Sequence, residues 1–176
     1  MFDAAYAERY IFHYYKIGCV ANAINPDHFT TAINQLLVET FESVHGIYLD
    51  KGTSMFETLA TISHEKASTP VGGKCATLAA QVKHIGFYLD VLEKAVRTGR
   101  FERVDWDAIW RDTTAVSAGE WQSLQLELRA SLERIKALIS DQKEWADERQ
   151  IGGAMAVIVH SAYHLGEIRQ ALCSLG

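Results

Sequence analysis

His160 and His164, in the run His160-Ser-Ala-Tyr-His164, are the pair in this chain whose type and spacing best suit metal chemistry. They sit in the apolar stretch from Ala154 to Leu172, which reads as a C-terminal helix. Four residues along an α-helix rise about 6 Å and rotate about 40°, so both imidazoles can reach toward one point. Ser161 follows His160, so the His-Glu-x-x-His pattern of zinc peptidases, with its built-in Glu base, is absent. The spacing alone also fits packed or surface histidines, because a chain with 7 His can place two there by chance.

A third ligand must come from His13, His28, His45, His64 or His84. The middle of the chain carries a helix able to hold one rigidly, which favours His84. It sits beside Ile85 of an apolar stripe and so at the rim of the core. Three neutral imidazoles on a divalent ion leave at least one position for water or substrate, as in catalytic rather than closed structural sites. Zinc suits such a set, and nickel or another first-row ion is compatible with it. Such an ion supports hydrolysis by bound water or activation of a thiol as thiolate. Helical phase puts Glu167 three residues from His164 and seven from His160, where it is a candidate catalytic base or ligand-orienting group, against the alternative of a solvated charge. Gln81 and Tyr88 flank His84 by one turn and are candidates for the shell behind the ligands, with packing the simpler reading of Tyr88. Tyr163 reads as packing and Arg169 as surface. Cys75 and Cys173 each lie nine residues from the nearest candidate ligand, roughly 13 Å along a helix and too far to share its ion. With Cys19, they read as small buried residues.

These groups need elements to place them. Only two prolines interrupt the chain, and 3.6-residue periodicity recurs while alternation is scarce, which predicts an all-α fold. A first helix is expected from Asn25-Pro26-Asp27, carrying Phe29, Ile33, Leu36, Leu37, Val44 and Ile47, with Gly52 beyond its end. A crossover of about 17 residues then contains Met55, Phe56, Leu59 and His64 and could roof a cavity. The second helix is expected from Ser68-Thr69-Pro70, with Leu78, Val82, Ile85, Leu89, Leu92 and Val96 on one face. A connector from Val104 to Val116 holds Trp106, Ile109 and Trp110, the tryptophans reading as core. Ser117-Ala-Gly-Glu120 is a capping box opening a third helix, and the fourth runs roughly from Gly152 to Leu172. Four amphipathic helices imply a four-helix bundle. Residues 1–24, with Tyr6, Tyr10, Tyr14 and Tyr15, read as an accessory helix or arm, docking being the simpler choice.

At 176 residues and 48% hydrophobic content the chain fits one domain with a sizeable core and carries no Pro/Gly-rich linker. Its apolar stretches are too short and interrupted to span a bilayer, and Met1-Phe-Asp-Ala-Ala-Tyr does not read as a secretory leader. Three scattered cysteines argue against a disulfide framework, so a cytoplasmic protein is expected. A net charge of -5, with Lys and Arg dispersed, gives no basic field for nucleic acid. The chain also lacks a nucleophile elbow, a phosphate-binding loop and a dinucleotide fingerprint.

Two segments resemble the DinB-like or YfiT-like metalloenzyme family. One is Thr77-Leu-Ala-Ala-Gln-Val-Lys-His84-Ile-Gly-Phe-Tyr-Leu, similar to the family's second-helix segment with its single histidine. The other is His160-Ser-Ala-Tyr-His164-Leu-Gly166-Glu-Ile168-Arg-Gln-Ala-Leu, similar to the pattern H-x-x-x-H-x-G-Q-I-R. The chain departs from the family at Leu165, where many members carry another histidine, and at Glu167, where glutamine is usual. The resemblance runs from about Asp27 to the end. It implies a four-helix bundle in which His84, His160 and His164 bind a divalent metal. It also implies either metal-dependent hydrolysis or metal-assisted transfer of a low-molecular-weight thiol to a small-molecule electrophile, with a homodimer as a common assembly. Thiol transfer is the favoured expectation, because the chain offers few acids and bases beyond Glu167. The competing expectation is a non-catalytic, stress-linked binding bundle whose metal is structural or absent.

Overall fold

The computed structural model of the chain describes residues 24–73, 76–100 and 102–175, and among these the regular structure is entirely helical. The helices are α1 (Pro26–Phe41), α2 (Met55–Leu59), α3 (His64–Ala67), α4 (Leu78–Thr98), α5 (Asp107–Asp112), α6 (Ala118–Ser140) and α7 (Glu148–Ser174), with a 3-10 turn at Val71–Gly73. The expected accessory segment before Ile24 lies outside the described residues, as do Cys19 and Cys75. No helix among those described is long and apolar enough to cross a membrane.

Local chemistry explains most boundaries. The Asn25 side chain accepts from Asp27 N–H, with Pro26 in the first turn of α1. Ser117 and Glu120 form the expected capping box at the start of α6. Gly99 ends α4 in the left-handed region at φ 67, where a side chain would be strained.

Two expected boundaries are corrected. The first helix stops at Phe41, short of Val44 and Ile47. The fully buried Glu39 carboxylate accepts N–H bonds from His45 at 2.8 Å, Tyr48 at 2.8 Å and Leu49 at 2.9 Å, so the following chain folds back over the helix end. The second helix starts at Leu78, capped by Thr77, which accepts from Ala80 N–H at 3.1 Å. Ser68 is engaged elsewhere: it bridges His64 O and the Val116 backbone, tying the α3 end to the approach to α6. The crossover from α1 to α4 is consequently longer than expected, covering residues 42–77 with two short helices inside it.

The four long helices share one core, in which Leu37, Phe41, Leu78, Ile85, Leu89, Leu128, Leu132, Leu165 and Ile168 are essentially solvent-free. Side-chain pairs fix their directions. Asn34 meets Ser140 and Glu42 meets Lys136, so α1 runs against α6. Gln81 meets His164 while Leu92 lies level with Val157, so α4 runs against α7. Gly86 lies against Leu128, and Arg134 binds Asp90 and Glu93, so α4 and α6 run parallel. Two parallel neighbours cannot be joined by a short turn. Residues 99–117 must return along the length of the fold, carrying α5 with them.

Candidate metal centre

α4 supplies one histidine and α7 two. Because α4 and α7 run antiparallel, His84 comes level with the His160–His164 face. The ring centroids stand 5.1 Å apart for His84 and His160, 4.8 Å for His84 and His164, and 4.5 Å for His160 and His164. One ligand nitrogen from each ring lies within 4.8 Å of the others, close enough for one ion to be held by all three.

The electrostatics match the geometry. His84 and His164 are buried and His160 is partly so. Burial, reinforced by the neighbouring imidazoles, pushes both His84 and His160 down to about 4. Burial also lowers His164, against the opposing pull of Glu167. All three are therefore neutral near pH 7, the form that ligates metal. Two buried ring nitrogens, His84 Nδ1 and His160 Nε2, have no hydrogen-bond partner among the described residues. An orphaned buried acceptor or donor costs about 1–3 kcal/mol, so partnerless imidazoles gathered in one place fit a bound cation better than a packed core.

His164 is treated differently. Its Nδ1 lies 2.7 Å from Gln81 Oε1 and 2.8 Å from Glu167 Oε2. With two acceptors on that side the ring carries its proton on Nδ1 and leaves the Nε2 lone pair free. Because burial keeps His164 neutral, the contact with Glu167 is a hydrogen bond to a carboxylate more than an ion pair. Gln81 and Glu167 thus converge on one ligand from two helices. Tyr88, one turn beyond His84, stacks on His160 with centroids 3.7 Å apart and planes 21° from parallel.

The roof over the cluster was misread in the sequence. It comes from the connector between α4 and α6, and the tryptophans assigned to the core line it. Trp110 lies 4.6 Å from His84 at 31°, and Trp106 lies 6.0 Å from the same ring. Trp106 also packs on Phe87 at 5.5 Å. Both indoles are half-buried, whereas their neighbour Ile109 does enter the interior. Nothing in the local pattern of Trp106 and Trp110 distinguishes a lid from a core; the parallel course of α4 and α6 decides it.

The remaining histidines stand apart. His28 and His45 are exposed, His64 pairs with exposed Glu65, and His13 lies outside the described residues. Tyr163 is exposed, its ring edge-on to His164 at 5.1 Å, and Arg169 reaches Thr58 from the surface. Cys173 is exposed, contrary to expectation, because it falls on the outer side of the last turn of α7.

No family model, curated protein or solved structure matches this chain.

Proposed function

We propose that the chain is a divalent-metal-dependent enzyme of the DinB-like type, with its long helices forming that family's four-helix bundle and His84, His160 and His164 holding zinc or nickel. The observation that carries this reading is the convergence of three neutral imidazoles, two with partnerless buried nitrogens and the third oriented by Gln81 and Glu167. The resemblance of the segments around His84 and His160–His164 to the family supports it. When bound, an ion with an open position supplies Lewis acidity and lowers the pKa of a water or thiol that it holds.

The chain's own residues do the rest. Glu167 and Gln81 fix the proton of His164 on Nδ1 and so act as positioning residues. Tyr88 holds the plane of His160, while Trp106 and Trp110 exclude water from the His84 side. With Glu167 Oε2 committed to His164, the arrangement favours thiol transfer over hydrolysis. In that reaction a sulfur–carbon bond forms, the bond from carbon to its leaving group breaks, and the thiol proton passes to solvent. The substrates are a low-molecular-weight thiol and a small electrophile, in the cytoplasm.

The test is metal content of the purified, untagged protein by plasma mass spectrometry beside His84→Ala, His160→Ala and His164→Ala, followed by conjugation of a thiol to a model electrophile. About one ion per chain, lost with each variant along with conjugation, is expected for a site with three protein ligands. Conjugation that survives His164→Ala overturns the reading.

One observation favours a second reading, a non-catalytic bundle with a structural ion: the close cover of His84 by Trp110. After cobalt substitution, a visible spectrum that changes on adding thiol supports the enzyme. An unresponsive spectrum supports the structural site.

A further inference from the structure

The indoles beside the histidines are held differently from the other two tryptophans. Trp121 donates its Nε1–H to Ile62 O, and Trp145 donates to Thr30 Oγ1. Trp106 and Trp110 donate to nothing among the described residues; they rest on ring contacts with Phe87, Tyr88 and His84 of α4 and with His164 of α7. A tryptophan packed permanently into a fold ordinarily finds a partner for its N–H.

The stretch that carries them is attached in the same loose way. Glu102 pairs with Lys94 at 2.7 Å, and Thr113 O accepts from the Thr77 hydroxyl at 3.3 Å. Between these two anchors, among the described residues, no hydrogen bond or ion pair joins residues 103–112 to the rest of the fold. Their polar groups turn inward instead. Asp105 accepts from Asp107 N–H at 3.1 Å and from Arg111 at 2.8 Å, which ties the limb before α5 to α5 itself. Ile109, 7% exposed, is the one buried side chain between the anchors. A cleft lined by Phe87, Val91, Lys94, Glu102 and Val104 opens between α4 and the limb that precedes α5.

We propose that residues 102–113 form a strap, hinged at Glu102 and Thr113, that lifts as one body and carries Trp106 and Trp110 off the histidine cluster. Ile109 is its latch. For the metal site proposed above, on which the strap's role rests, this gives a way in: Trp110 stands over His84 when the strap is shut, and thiol and electrophile reach an ion there only when it moves. Once closed again, the strap keeps bulk water from the reacting groups, as active-site lids do. The long helices need not change, because local opening follows the segments with fewest ties to the core.

A latch that does not touch the ion changes how often the site opens and not how well the open site binds, so uptake and release must change by one factor. Ile109→Ala is expected to speed zinc uptake and zinc release to a chelator alike, by at least about tenfold, with affinity and circular dichroism unchanged. Lys94→Met, which breaks only an exposed ion pair at one hinge, should speed both by about two- to fivefold. In amide hydrogen exchange of the metal-free chain, the hydrogen-bonded amides of α5 should share one opening and be protected at least about 100-fold less than the central turns of α4. Ile109→Ala should lower them together. Unequal changes in uptake and release, rates indifferent to both variants, or α5 amides protected like those of α4 or fraying singly from its ends overturn the strap. A parent protein that binds no zinc overturns the metal reading instead, and the amide exchange then decides by itself whether the strap opens.

Discussion

Tyr88 and His160 lie face to face, centroids 3.7 Å apart, so an aromatic ring from α4 sets the plane of a candidate ligand on α7. The contact uses the ring and not the hydroxyl. Tyr88→Phe is therefore expected to keep the affinity of the site, and Tyr88→Ala to lower it about tenfold, the low end of effects seen when a ligand loses an outer support. Competition with a chelating dye measures both, and equal affinity of Tyr88→Ala and the parent would show that the stack holds nothing.

Glu167 and Gln81 address the same nitrogen of His164. Glu167→Ala is expected to cost about 10–100-fold in metal affinity, and Gln81→Ala less because a neutral amide is the weaker acceptor. Since either acceptor can partly hold the proton alone, the double variant should lose more than the product of the single losses. Strict additivity in a titration cycle would mean that they act on different groups.

Trp110 stands 4.6 Å from His84 and Trp106 6.0 Å. A paramagnetic divalent ion, cobalt or copper, should quench tryptophan emission on binding, with most of the quenching lost in Trp106→Phe/Trp110→Phe. Trp121, buried and donating to Ile62 O at 2.9 Å, and Trp145, donating to Thr30 Oγ1 at 3.0 Å, provide the emission that remains. Unchanged quenching in the double variant would place the ion away from this cluster.

Burial pushes the Glu39 carboxyl up, but N–H groups of Leu49, Tyr48, Ile47 and His45 outweigh it and hold the group below the usual 4.5. A carboxylate with a depressed folded pKa stabilises the fold above the unfolded value and loses that contribution as pH falls through the folded one. Urea unfolding should thus show stability declining below about pH 4.5 from this source, with Glu39→Gln lacking that component. At neutral pH Glu39→Gln should cost on the order of 3 kcal/mol, since an amide NH2 would face backbone donors. A neutral-pH loss under 0.5 kcal/mol, within the usual range of a surface substitution, would contradict this account.

Leu132 is fully buried in the shared core. Leu132→Ala is expected to cost about 2–5 kcal/mol in denaturant unfolding while metal stoichiometry stays the same, because Leu132 belongs to the apolar core on α6 and the histidines stand on α4 and α7. A loss of metal with unchanged stability would reverse that assignment of core and site.

What the sequence made legible was local. The i, i+4 pair on an apolar helix, the Ser117–Glu120 box and the Leu78–Ile85–Leu89 stripe each depend on neighbours along the chain, and they stand as read. The end of the first helix did not, because apolar periodicity continues through Val44 and Ile47 while the decisive event is a buried carboxylate collecting N–H groups up to ten residues ahead. Ser68 looked like a helix cap, but its hydroxyl is taken by Val116, forty-eight residues away. The grouping of His84 with the other two histidines was anticipated as one choice among five, whereas Trp106 and Trp110 gave no sign of their role. Their position follows from the relative direction of α4 and α6, a property of the assembled fold that no window of sequence contains.

That direction divides labour in a way that bears on how such a protein can change over generations. The candidate ligands stand on α4 and α7, held by the core, while the tryptophans beside His84 stand on a connector that spans the length of α4, about 30 Å. Nineteen or so residues are far more than an extended chain needs to cover that distance. The surplus leaves room, away from buried Ile109 and the Ser68-bound Val116, for substitutions and small insertions that alter the cover of the three histidines while the helices carrying them stay as they are.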